Sequence, residues 1–345
     1  MSGAPAWPMT DRSRRRTLWV AAGALGGTLA ASGRATGRVA AAVPKPFTFT
    51  VIGDTPYSTL EERSLRDVLA SQGPDIAFVL HLGDLKSGWE SCSDELLRHR
   101  HRLLAASPRP LIFVPGDNEW VDCIRVPAGE FDPLGRLELL RRLFHAHEPP
   151  PSAGLGGFTR QTALASATAF PEHMRWQHQS VGFLTVNVPG SRNARSIDPR
   201  LSQANTLRIA AVRRWLEETP AWAHAARLRA LVIAAHANPN FERDRRGEPP
   251  AKSDDPNDAY AWWREGLREL AVRLPLPTLL LHGDTHTYRV DRPLRDRAGR
   301  ALEHVTRLEC FGTPRATHWL TVSVSAIDPP SFMITPRELV SVQRP

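Results

Sequence analysis

The sequence predicts an α/β fold whose parallel strands end in metal-binding side chains, and three observations predict it. First, short and mostly apolar runs recur at 47–52, 76–82, 111–114 and 278–282, each followed closely by a glycine. A run too brief for a helix and closed by a turn residue marks a strand buried on both faces. Second, amphipathic stretches alternate with these runs, giving the β-α-β-α-β order of parallel strands joined by right-handed crossovers. Third, the runs end alike. Asp54, Asp84, Asp117 and Asp284 each follow a glycine, and a fifth run, 231–235, ends in His236. The carboxyl edge of such a sheet is where ligands are held. Asp, Asn and His gathered there make a metal-site constellation.

The first 42 residues stand apart. Ser13-Arg14-Arg15-Arg16-Thr17-Leu18 resembles the twin-arginine export motif, with Thr17 where a Phe is usual. A Gly/Ala-rich apolar stretch follows at 18–31, and Val39-Ala40-Ala41-Ala42 offers a small-residue cleavage site. That stretch is shorter than the roughly twenty residues of a membrane span, so a cleaved signal is expected and no stable membrane anchor. The implied partner is the twin-arginine translocation machinery, and the implied location is periplasmic or secreted. That route carries folded proteins and suits a chain that loads metal before export.

The segment holds six Arg and one Asp, so without it the formal charge falls from +8 to +3. No long basic run remains, and no nucleic acid is expected as a partner. Of the three cysteines, Cys92 lies eight residues past Asp84 and Cys123 six past Asp117. If those strands are neighbours, both thiols leave the same edge. A Cys92–Cys123 disulfide would then tie two metal-bearing loops together in an oxidising compartment; the alternative is two free buried thiols. Cys310 reads as an ordinary strand residue.

Residues 43–345 can bury one large core and show no repeat and no dividing linker, so they read as a single domain. Helical spacing is expected over 58–72, 94–106, 134–146, 205–218 and 259–274, with apolar faces such as Leu65, Val68 and Leu69 in the first. Residues 148–158 and 238–258, rich in Pro and polar residues, read as loops. A strand at 180–188 leads into the turn-rich Pro189-Gly190-Ser191-Arg192-Asn193. The last seventy or so residues carry four strand-like runs without helices, which suggests antiparallel pairing at one side.

The ordered blocks resemble those of the calcineurin-like metallophosphoesterases, including purple-acid-phosphatase-like members: Asp-x-His, Gly-Asp, Gly-Asn-His-Asp/Glu, a lone His, and Gly-His-x-His. The resemblance spans 47–288. It implies a β-sandwich of two mixed sheets flanked by helices, four layers in α/β/β/α order, with two divalent ions (Fe, Mn or Zn) at the strand ends. The implied ligands are Asp54, Asp84, Asp117, Asn118, His236, Asp284 and His286. Asp84 matches the carboxylate between the ions, where one negative charge offsets their repulsion at roughly 3.5–4 Å. Three blocks depart from the pattern. Pro56 stands where the first His is usual, and Tyr57 after it is either a phenolate ligand or a packing residue. Gly116-Asp117-Asn118-Glu119 replaces the third block. Ungapped, Asp117 takes the Asn ligand's place and Asn118 that of the catalytic His; slipped by one, Asn118 remains the ligand. Either way the imidazole acid is absent, because an amide cannot act as a general acid. Asp284 replaces the first His of the last block and is itself an ordinary ligand.

The resemblance implies hydrolysis of a small phosphorylated substrate, with Asp84, Asn118 and His236 as catalytic residues. One ion would sit on Asp54, Asp84 and His286, the other on Asp84, Asp117 or Asn118, His236 and Asp284. Arg192, Asn193 and Glu119 are expected to touch substrate, with Ser191 and Lys86 beside them. Leaving-group protonation falls to water, His81, His282 or Glu119. His99, His101, His145, His147, His173, His178 and His224 read as exposed. A reading from another class is a weak or inactive periplasmic metal-binding or scaffold protein on the same fold, favoured by the missing imidazoles. Most replacements are other ligands, which favours a retuned site. An exported nuclease would want a basic groove that the charge does not show.

Overall fold

The strand runs assemble into two sheets packed face to face. A computed structural model describes residues 44–147, 155, 157–161, 169–195, 198–243 and 258–339. The expected export segment, residues 244–257 of one predicted loop and most of the other lie outside the described residues. In the first sheet β1 (Phe47–Ile52), β2 (Ile76–His81) and β3 (Leu111–Phe113) run parallel. In the second are β4 (Thr159–Gln161), β5 (Phe170–His178), β6 (Val181–Thr185), β7 (Ala230–Ala234), β8 (Thr278–His282), β9 (Arg289–Asp291) and β10 (Val305–Glu309), in the order β4-β5-β6-β7-β8-β10-β9. Of these, β6, β7, β8 and β10 are parallel. Strands β11 (His318–Val324) and β12 (Phe332–Glu338) return antiparallel beside β1, completing the order β12-β11-β1-β2-β3.

The final strands therefore differ from the expectation of one antiparallel side. They divide between the sheets, and β10 pairs parallel with β8. Strand β5 was not foreseen. Its inward side chains Phe170, Glu172, Met174 and Trp176 include a charge that breaks the apolar alternation.

Three apolar clusters fill the four layers. Phe49, Val51, Phe78 and Leu80 face Trp176, Phe183, Val232 and Leu281 between the sheets. Val79 and Ile52 on the outer face meet Leu65, Leu69, Leu97 and Leu104 of the helices Thr59–Ala70 and Asp94–Ala105. Leu231 and Ile233 meet Val212, Trp215, Trp263 and Leu267 of the helices Pro199–Ala225 and Ala261–Arg273. Burial on both faces is what makes these strands read as continuous apolar runs. The long helix begins six residues before the expected 205: Asp198 caps it by accepting the Arg200 N–H, and Pro199 occupies its first position. Register levels the strand ends. Ile52 pairs with His81, His81 with Phe113, and Ala234 with Leu281, so the segments after them emerge together.

Candidate metal centre

Tight turns follow the levelled strands. Asp54, Asp84, Asp284 and His286 adopt left-handed backbone conformations with φ of 51°, 57°, 77° and 57°. Asp and His tolerate this region better than branched residues, and such strain gathers at functional sites. The glycine before each Asp is a matter of space: a Cβ on Gly116 would overlap the Asp84 carboxylate and amide.

These turns bring four carboxylates and two imidazoles together. Asp84 Oδ1 accepts the backbone N–H groups of Asp117 and Asn118 at 3.0 Å each, and its Oδ2 accepts the Tyr57 hydroxyl at 3.0 Å. His236 Nε2 lies 3.0 Å from Asp117 Oδ1, 3.5 Å from Asp84 Oδ1 and 3.8 Å from Asp284 Oδ1. Asp54 accepts the Asp284 N–H and lies 3.5 Å from His286 Nε2. Two triads, Asp54–Asp84–His236 and Asp117–His236–Asp284, place ligand atoms within 4.8 Å of one another, as an ion requires. The imidazoles are aimed from behind: His236 Nδ1 bonds the Leu82 carbonyl at 2.7 Å and His286 Nδ1 the Thr313 carbonyl at 2.9 Å, leaving each Nε2 for the centre.

The donor set fits divalent cations. Asp117 Oδ1 and His236 Nε2, 3.0 Å apart, are buried and have no other hydrogen-bond partner among the described residues. Among the described residues no Lys or Arg pairs with Asp54, Asp84, Asp117 or Asp284. Buried carboxylates without a cation are costly to ionise. Burial accordingly pushes Asp84 well above the carboxylate range and Asp284 up to about 7, against the pull of His236. Burial pushes Asp54 up as well. Asp117 moves the other way, because His236 and the Ser191 hydroxyl outweigh its burial.

The third block is divided between two sides. Asp117 turns its carboxylate to His236, whereas Asn118 Nδ2 donates to the Tyr57 hydroxyl at 3.1 Å. Tyr57 also lies 3.3 Å from His286 Nε2, so the phenol stands inside the cluster. The expected substrate contacts fare differently. Glu119 is buried, and its Oε1 accepts the N–H groups of Asp84 and Gly116, because turns this tight need an acceptor for their amides. Burial raises Glu119 to about 7. Lys86 is buried too, donating to the Ser87 and Asn118 carbonyls at 2.7 Å each. Neither is a rim residue.

Residues Ser191, Arg192, Asn193 and Ala194 form a left-handed turn, φ 44–58°. Asn193 is buried in it: Arg208 donates to its Oδ1 at 2.7 Å, and its N–H meets the Tyr260 hydroxyl at 3.1 Å. Its expected substrate contact gives way to this structural one. Arg192 is exposed, and Ser191 Oγ reaches Asp117 Oδ2 and Asp122 Oδ1 at 2.7 Å each. Asp122 and Thr313 gave no signal in the sequence, since one acts through a hydroxyl and the other through a carbonyl.

His81 and His282 are buried supports: His81 joins the Thr55 carbonyl and His282 the Gly283 carbonyl, at 2.9 Å each. His145 and His173, expected to be exposed, are buried as well, His173 on β5 where Gln161 meets its Nδ1 at 2.7 Å. A disulfide joins Cys92 and Cys123, with Cα atoms 5.6 Å apart, and Cys310 is free and buried. No helix among the described residues is long and apolar enough to cross a membrane.

No protein-family model and no curated protein matches the chain. Solved structures similar to it include a dimetal phosphatase from Danio rerio, at 13% identity and TM-score 0.44 over 84% of this chain and 98% of that one. Another is GAP50, the anchor in the inner membrane complex of Plasmodium, at 10% identity and TM-score 0.44 over 87% and 86%. A third is the purple acid phosphatase PPD1 of yellow lupin seeds, at 12% identity and TM-score 0.45 over 86% of this chain and 52% of that one, so this chain spans about half its length. At such distance what those proteins do stays with them, and the residues of the site must carry the functional argument.

Proposed function

We propose that this protein hydrolyses phosphate esters at a two-metal centre. One ion would be held by Asp54, Asp84 and His286, the other by Asp84, Asp117, His236 and Asp284. The observation that supports this most is the convergence of three buried carboxylates and the partly buried Asp284, with no Lys or Arg paired to them among the described residues. Two divalent ions, when bound, lower the pKa of water and offset charge on the phosphoryl oxygens. The chain's own residues supply the rest. The Asp117 and Asn118 amides hold Asp84 between the two groups, while the Leu82 and Thr313 carbonyls fix the imidazoles. Asn118 Nδ2 and the Tyr57 hydroxyl stand together where the resemblance expects an imidazole. The amide can orient a phosphoryl oxygen but not protonate a leaving group.

That substitution is also what favours a second reading, a metal-binding protein with little or no turnover. Elemental analysis, paired with hydrolysis of a chromogenic phosphomonoester and diester in added Mn or Zn, separates the two. Two metals with turnover supports the enzyme, two metals without turnover the second reading, and no metal uptake sinks both. We also propose that the chain acts after twin-arginine export, for which the Ser13–Leu18 motif and the Cys92–Cys123 bond are the support. Replacing Arg14 and Arg15 by Lys should leave the protein in the cytoplasm; unchanged export would remove that proposal.

A further inference from the structure

Beside the metal-ligand cluster an indole and a guanidinium stand at the surface, and the chemistry above makes no use of them. Trp89 is 68% exposed, and the Arg125 guanidinium carbon lies 5.9 Å from the centre of its ring. Ile124 and Val126, on either side of Arg125, are exposed as well. Apolar and aromatic area clustered at the mouth of a polar site marks a binding surface more often than scattered single residues do.

Position and rigidity both tie this pair to the centre. A Cβ on Gly88 would sit 2.9 Å from Arg125 Nη1 and from Asn118 Oδ1, so the loop carrying Trp89 lies directly against the third block. Arg125 Nη2 donates to Ser191 Oγ at 3.3 Å, and Ser191 donates to Asp117 Oδ2 at 2.7 Å. The Cys92–Cys123 bond joins the loop of Trp89 to the loop of Arg125, and the Cys92 N–H meets the Ala128 carbonyl at 2.9 Å. Nη2 also pairs with Asp122 at 2.7 Å, whereas Nη1 and Nε have no hydrogen-bond partner among the described residues.

We propose that Trp89 and Arg125 form the leaving-group subsite of the centre and that the substrate is an aryl phosphate ester. The substrate ring stacks on Trp89, and the free Arg125 donors meet the phosphoryl group. This rests on the phosphoesterase reading. Hydrolysis breaks the bond from phosphorus to the aryl oxygen, the electron pair leaving as phenolate. Water supplies the new phosphorus–oxygen bond, and its proton passes to solvent. A phenolate departs without a proton, which matches a centre where Asn118 stands at the acid's place.

The test measures binding and turnover separately. Benzylphosphonate and methylphosphonate, which are not hydrolysed, are titrated calorimetrically into the full chain with Mn(II). The wild type should bind the aromatic probe on the order of tenfold more tightly, the usual worth of one stacked ring. Trp89→Ala should erase that preference and Trp89→Phe should keep it, while Arg125→Gln should weaken both probes alike. Equal binding by the wild type, or a preference that survives Trp89→Ala, overturns the subsite. Phenyl phosphate against glycerol phosphate then gives turnover. Aromatic preference in binding with no turnover of either ester removes the phosphoesterase reading and leaves the subsite. Equal turnover of both with equal binding removes the subsite alone.

Discussion

Asp84→Asn removes one negative charge and nearly keeps the shape. An Asn Oδ1 can still accept the Asp117 and Asn118 amides that Asp84 now accepts at 3.0 Å, and its Nδ2 can donate to the Tyr57 hydroxyl. The loops should therefore hold. Without metal the variant should be the more stable protein. Burial pushes the Asp84 carboxyl well above its usual range, and Asp117, Glu119 and Asp54 push it the same way. Ionising it at neutral pH opposes folding, and Asn has nothing to ionise. With metal the order should reverse. An ion that binds only the folded state stabilises it by about 2.7 kcal/mol at a hundred times its Kd. In a domain of this size that raises Tm by roughly 4 °C. The assay is thermal unfolding in chelator and in excess Mn or Zn, beside elemental analysis of the protein. The wild type should gain the full shift, and the variant should gain little from a higher start. A variant that keeps wild-type metal stoichiometry and the wild-type shift would refute the bridging position of Asp84.

Three further outcomes are expected. Burial would raise Glu172, but Arg141, donating to both its oxygens at 2.7 and 2.9 Å, brings it down to about 2. A carboxylate lowered on folding stabilises fully above its unfolded value near 4.5 and loses that stability as pH falls through about 2. Arg141→Met should thus cost about 3–5 kcal/mol at pH 7 and flatten the acid limb of a urea-unfolding series. Replacing Cys92 and Cys123 by Ala opens a loop of sequence separation 31, which should cost about 3–4 kcal/mol in the same assay. Asp284→His should tighten inorganic phosphate binding to the metal-loaded protein by on the order of tenfold, read by calorimetry, because it removes one charge that repels the anion. Unchanged phosphate affinity would count against a centre built on Asp284.

The glycine-aspartate strand ends were legible because they answer to local physics. A turn that brings one backbone against another needs Gly116, and a strand buried on both faces needs the run before it. Strand β5 was hidden because Glu172 points inward, and only the fold supplies Arg141 to neutralise it. Glu119 and Lys86 read as rim residues because charge usually means exposure. They are inside because tight turns leave amides and carbonyls that need partners. The left-handed turn over Ser191, Arg192, Asn193 and Ala194 was equally hidden. Four successive non-glycine residues in that region are disfavoured one by one. Here Ser191, held by Asp117, and Asn193, held by Arg208, keep them in place.

The departures from the expected blocks acquire a common meaning when charge is counted. Asp117 stands where the ungapped pattern has an amide, and Asp284 where it has an imidazole. With Asp54 and Asp84 they hold as much negative charge as two divalent ions hold positive. A centre so composed is close to neutral when loaded, whereas the usual pattern leaves it cationic. It would draw an anionic phosphoryl group weakly, so the attraction must come from outside the ligand set. Arg125 is placed for that, two hydrogen bonds from Asp117 through Ser191. On the proposed reading, Asn118 in the place of the imidazole acid makes a parallel demand on the other side of the reaction: a leaving group must be acidic enough to depart unprotonated. An aryl phosphate met by a guanidinium at the rim satisfies both demands, which is why the replaced residues argue for a retuned site more than for a lost one.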